Sequence, residues 1–202
     1  MIDGRWVSSC RTFLMGLGIL LVVLFHATST FGNVFILFKY GFIGVDIFIF
    51  ISGFGLTRSY ESNRIKKFYK HRIIRILPLF VLFALCKSLL YEFFGASLTI
   101  KDYVYNISTL SYYGIGGQFI DWYLCSAFLF YILFPMLYLL VKSFKWKIIL
   151  ISLLLVISLY FISPDIHWSY KCFISRIPIF LCGICMYLNI SILPPPLTMD
   201  AI

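Results

Sequence analysis

The sequence predicts an all-α, polytopic transmembrane bundle of about six helices with its N-terminus in the cytoplasm, and three observations carry that prediction. The first is composition. The 202 residues are 61% hydrophobic and 12% charged, whereas a soluble domain is roughly 45–50% apolar and about 25% charged. The second is arrangement: the apolar residues come in continuous runs near the ~20 residues that a helix needs to cross a bilayer. They do not alternate as a membrane β-barrel requires. The third is the placement of charge along the chain. Together these exclude a soluble enzyme and a lone anchor on a large ectodomain.

The runs fall at about 13–31, 41–57, 74–93, 119–141, 148–163 and 174–190. The first has some marks of a secretory signal, with Arg5 and Arg11 before the apolar stretch and Ala27 and Ser29 as a small-residue cleavage site. The reading adopted is a retained helix. Between the runs, the N-terminus, the loop 58–75 and the loop 142–147 hold 12 basic residues, and the opposite set (Lys39, Lys101, Lys171, Arg176) holds four. Basic residues concentrate on the cytoplasmic side, so the net charge of +9 reports topology and no nucleic-acid partner is expected. Six crossings return the C-terminus to the cytoplasm. Residues 1–193 form one membrane domain, and 194–202 a proline-rich tail that cannot continue a helix.

Six cysteines are scattered mostly inside apolar runs, where they read as small buried residues. Cys182 and Cys185 form a C-x-x-C without a second ligand pair, so no metal site is expected. Ionisable residues inside a span are costly and therefore functional candidates. His26 lies 13 residues into the first span, roughly 20 Å from its inner end. Asp46 lies five residues into the second, about 8 Å from the outer side. The two are then at similar depth, where a carboxylate could orient the imidazole; the plain alternatives are a packing histidine and a helix N-terminal charge. Asp121, Trp122 and Arg176 fall near outer ends of their spans and could complete a polar cavity. Lys87 and Glu92 could pair or snorkel.

At the inner entrance of the third span, Lys67, His71 and Arg75 are spaced i, i+4, i+8, and Arg72 is three residues from Arg75. A helix would gather them on one side. That face suits phosphate, or simply anionic lipid. The loop 95–118 carries Tyr103, Tyr105, Tyr112 and Tyr113, read as an interfacial belt with a sugar-stacking platform as the alternative. Asn106-Ile107-Ser108 is a formal glycosylation sequon.

Four segments together resemble the acyltransferase 3 family of integral-membrane O-acyltransferases. They are Gly18 to Phe25 ending in His26; Gly44-Val45-Asp46-Ile47-Phe48 running to Ser52-Gly53-Phe54; Arg72-Ile73-Ile74-Arg75-Ile76-Leu77-Pro78; and Trp122-Tyr123-Leu124 with Tyr131 to Pro135, followed by Arg176-Ile177-Pro178 to Gly183. The resemblance implies transfer of an acyl group, taken as acetyl, from cytoplasmic acyl-CoA to a hydroxyl of a polysaccharide or lipid-linked sugar at the bacterial cytoplasmic membrane. It implies no bound cofactor. On this reading His26, Asp46 and Arg11 are catalytic, Arg72, Arg75 and Lys67 hold the donor's phosphates, and Asp121, Trp122 and Arg176 contact acceptor. Three departures stand out: Met15 replaces the family's arginine on the first helix, Ala127 and Phe128 replace its acidic pair, and six spans stand where relatives build roughly ten. The alternatives are a transport or export component for surface glycan, and a truncated, inactive member of the family.

Overall fold

Residues 4–31, 38–62, 65–113, 122–163 and 168–191 are described by a computed structural model. Among the described residues eight α-helices follow in order: α1 (Gly4–Phe31), α2 (Ile43–Ser62), α3 (Ile65–Phe93), α4 (Ile100–Ile107), α5 (Trp122–Phe144), α6 (Lys147–Ile162), α7 (Trp168–Ile174) and α8 (Ile177–Ser191). No strand occurs among the described residues. Helix is what a bilayer selects, because it satisfies every backbone polar group within one segment. Among the described residues five segments are long and apolar enough to cross: Cys10–Thr28, Phe38–Ser62, Ile76–Phe93, Trp122–Phe144 and Tyr170–Asn189. The sixth expected span, α6, has only 16 residues, about 24 Å against a ~30 Å core.

Two boundaries move for physical reasons. The third span was expected from 74, but α3 begins at Ile65 and runs 29 residues, about 43 Å. Its first three turns therefore carry the basic entrance beyond the apolar window, as helix. The last span was expected from 174, but α8 begins at Ile177, and the break at Ser175 and Arg176 separates it from the short α7 that precedes it. Pro178 sits in the first turn of α8, where a missing N–H costs nothing.

The helices group into two compact units. One contains α1, α2 to Arg58, α5 from Met136, α6 to Leu154 and α8. Its centre is a glycine-mediated crossing of α2 and α8: a Cβ on Gly53 would collide with the carbonyl oxygen of Phe180, and one on Gly183 with that of Phe50. Phe54 and Tyr187 stack edge to face one turn further on, centroids 5.2 Å apart. Facing positions rise together along both helices, so α2 and α8 are parallel. A chain that has crossed through α2 runs parallel to it again only after an odd number of intervening crossings. Of the intervening helices, α3 and α5 each contain a segment long and apolar enough to cross, and α4 and α7 are short, so α6 must cross despite its length. The expected six crossings follow.

Glycine also brings α1 against α2, antiparallel. Gly18 faces Gly44, and a Cβ on Gly41 would strike the backbone of Leu21. Without a hydrophobic force between helices in lipid, such close backbone approach is the main source of packing energy. Gly183→Ala must push α8 off α2, since the obstructing atom is backbone and cannot swing aside. The expected loss is about 1–3 kcal/mol, read as a lower thermal midpoint of the detergent-solubilised protein; an unchanged midpoint would contradict this packing.

The other unit contains α2 from Ser59, α3, α4, α5 to Pro135, α6 from Leu155 and α7. Tyr60, Phe68 and Phe134 pack ring on ring at 5.4–5.5 Å, and Phe130 stacks on Phe173 at 4.7 Å. The segment 95–118, expected as a loop, holds α4 and a 3-10 turn, Leu110–Tyr113. α3 ends in a Schellman motif: Gly95 takes φ +94°, and the Ala96 and Gly95 N–H groups donate to the carbonyls of Tyr91 and Glu92 at 2.9 Å. α4 is capped by Thr99, whose N–H donates to the Asp102 carboxylate at 2.8 Å. It folds back along α3: Asn106 Nδ2 donates to Ser88 Oγ at 2.9 Å, and Tyr103 stands beside Glu92. Asn106 is buried, so the sequon cannot carry a glycan in the folded chain. Ile100 and Val104, with Phe93 and Phe94, are exposed, an apolar outer face suited to lipid. Tyr112 is fully buried, not a surface aromatic. Burial also holds the Tyr113 phenol up to about 12. Lys87 lies 5.9 Å from the rings of Phe83 and Tyr91.

Candidate functional site

The polar centre of the first unit is an ion pair between helices. Asp46 is in the first turn of α2, and its Oδ1 stands 3.4 Å from Nε of Arg176, with side-chain exposures of 20% and 17%. The two atoms are buried and complete no directional hydrogen bond, so the link is Coulombic. Its position is a consequence of the glycine crossing. Asp46 lies seven residues before Gly53, and Arg176 seven before Gly183. Seven residues are two turns, returning to nearly the same face. Parallel helices locked at the glycines therefore present these two side chains to each other. Both are site candidates from the sequence, but in different partnerships. The equal spacing to a glycine in two same-direction spans was the signal for this one.

The expected level pairing of His26 with Asp46 does not survive the register. Gly18 faces Gly44 and Leu21 faces Gly41, so Asp46 is level with about residues 16–20 of α1. His26 is then some eight residues, roughly 12 Å, further outward. The reason is the 3-10 turn at 38–42, which starts the second span at Phe38 and sets Asp46 about 14 Å deep. His26, by contrast, is two residues from the end of the Cys10–Thr28 span. Its ring is exposed and meets Phe25 edge to face at 5.4 Å, while Thr28 Oγ1 donates to the Phe25 carbonyl at 2.7 Å. Met15 falls close to the level of Asp46. Arg11 is exposed a turn or more further in.

On α3, positions 67, 71 and 75 share one side of a continuous helix, and Lys67 is exposed. Arg72 and Arg75 are on the same helix; their side chains lie outside the described residues, as does Asp121 altogether. Trp122 opens α5 and meets Tyr123 edge to face at 6.3 Å. Cys185 is buried on α8 and accepts from Asn189 Nδ2 at 3.3 Å. Among the described residues no group of three or more His, Cys, Asp or Glu gathers as metal ligands.

Apolar helices of bilayer length, small-residue crossings and an ion pair inside the span define a multi-pass membrane protein. The family model described as an acyltransferase domain matches residues 13–193. The chain belongs to the acyltransferase 3 family, and it is a membrane acyltransferase by that membership. No curated protein and no solved structure matches it.

Proposed function

We propose that the protein transfers an acetyl group from cytoplasmic acetyl-CoA to a hydroxyl of a polysaccharide or lipid-linked sugar, at the bacterial cytoplasmic membrane. The observation that carries this reading is the family match across 13–193, which takes in the His26, Asp46, Arg72–Arg75 and Arg176 segments in one stretch. Arg72, Arg75 and Lys67 hold the donor's phosphates at the inner face, where α3 extends beyond the apolar window. His26, exposed near the outer end of α1, removes the proton of the acceptor hydroxyl as its oxygen attacks the thioester carbonyl. The tetrahedral adduct collapses by breaking the carbon–sulfur bond, and the CoA thiolate takes up a proton. Trp122 and Asp121 contact acceptor. Asp46 and Arg176 act as positioning residues: their pairing fixes α2 against α8 at mid-depth, and Arg11 stays a secondary candidate for the developing negative charge.

The test is to supply acetyl-labelled acetyl-CoA to membranes that contain the protein and follow alkali-labile label in envelope glycan. Label should appear only with the protein present. Label retained in water-soluble acetate alone would mean hydrolysis, and would end the transfer reading.

A further inference from the structure

The short turn between α5 and α6 carries a group of side chains that acyl transfer does not use. Lys142, Lys145 and Lys147 are all exposed, as are Phe144 and Trp146 between them. No Asp or Glu occurs anywhere from 122 to 163, and none of the three lysines has an ion-pair partner among the described residues. Lys142 Nζ lies 5.9 Å from the ring of Tyr138. Lys145 takes φ +52°, and its N–H donates to the Val141 carbonyl at 2.7 Å. This left-handed residue closes α5 and lets α6 start within two residues.

The length of α6 fixes where this turn sits. Parallel packing of α2 and α8 requires α6 to cross, yet its 16 residues span about 24 Å of a ~30 Å core. A helix about 6 Å too short draws its flanking residues inward and thins the bilayer around it. The cytoplasmic flank is the lysine turn, so its cations are held at the level of the lipid phosphates. Aromatic rings beside lysines, whose apolar stems can lie along acyl chains, complete the chemistry of an interfacial anchor.

We infer that the α5–α6 turn is a binding site for the headgroup of an anionic phospholipid, with Lys142, Lys145 and Lys147 on the phosphate and Phe144 and Trp146 against the glycerol and upper acyl chain. Each lysine near an anionic membrane surface contributes on the order of 1 kcal/mol, about fivefold in affinity. Removing three charges should therefore weaken lipid retention by at least roughly tenfold, even after screening.

The experiment is native mass spectrometry of the full chain, equilibrated in detergent with phosphatidylglycerol or phosphatidylcholine. The wild type should retain phosphatidylglycerol and release phosphatidylcholine. Lys142→Gln/Lys145→Gln/Lys147→Gln should lose the bound phosphatidylglycerol, and the corresponding triple arginine variant should keep it. Equal retention of the two lipids, undiminished retention by the glutamine variant, or loss in both triple variants would overturn the assignment. So would displacement by inorganic phosphate or coenzyme A, which would identify a site for soluble phosphate instead of lipid.

Discussion

Replacing Arg176 by methionine should lower the stability of the solubilised protein by about 2–4 kcal/mol. Removing one partner of a buried ion pair strands the other charge, at a cost of about 3–5 kcal/mol when burial is complete. Here the side chains keep 17% and 20% exposure, which lowers both ends of that range. For a chain of this size, about 2–4 °C of thermal midpoint accompanies each kcal/mol, so the midpoint should fall by roughly 4–16 °C. Asp46→Asn should be the worse of the two single changes, because the remaining guanidinium cannot be deprotonated in a protein. The double change Asp46→Asn with Arg176→Met should cost less than the sum of the two single changes, giving a coupling of about 1–3 kcal/mol in the cycle. Additive losses would show that the 3.4 Å approach carries no energy.

This pair also marks the boundary of what the sequence could disclose. The apolar runs yielded the crossings because hydropathy is a local property, and α5 and α6 lie within a few residues of their expected bounds. α4 was also locally announced: Thr99 and Asp102 have capping-box spacing ahead of Ile100, Val104 and Ile107 at helical intervals. Its return along α3 was not, since that depends on Gly95 turning the chain and on Asn106 finding Ser88 across 18 residues. Depth failed for Asp46 through a single feature. Counting from 41 missed the turn at 38–42, and the ladder of α1 against α2 shifted with it. The partnership of Asp46 with Arg176, 130 residues away, required knowing that α2 and α8 run parallel, which is a property of the packed helices.

His26→Ala should reduce acyl transfer by about 10²–10⁴-fold, the range that a positioned general base contributes, while leaving the fold intact. The two halves of that expectation test each other. An exposed side chain whose loss buries no charge should change stability by no more than about 0.5 kcal/mol, so a variant that loses activity without losing its thermal midpoint has lost chemistry. Glycine neighbours make the opposite prediction: Gly18 and Gly44 touch backbone to backbone, and substitutions there should reduce stability and activity together. Added imidazole should restore part of the rate to His26→Ala if the missing group is a base near the outer surface, because the position of His26 is exposed. It should not restore Asp46→Asn, whose defect is the spacing of α2 and α8. Trapping the wild type with hydroxylamine separates base from nucleophile, since an acyl-imidazole on His26 is cleaved by it and a general base leaves nothing to cleave. Full activity in His26→Ala would move the chemistry elsewhere along 13–193, with the Asp46–Arg176 pair the next polar group to examine.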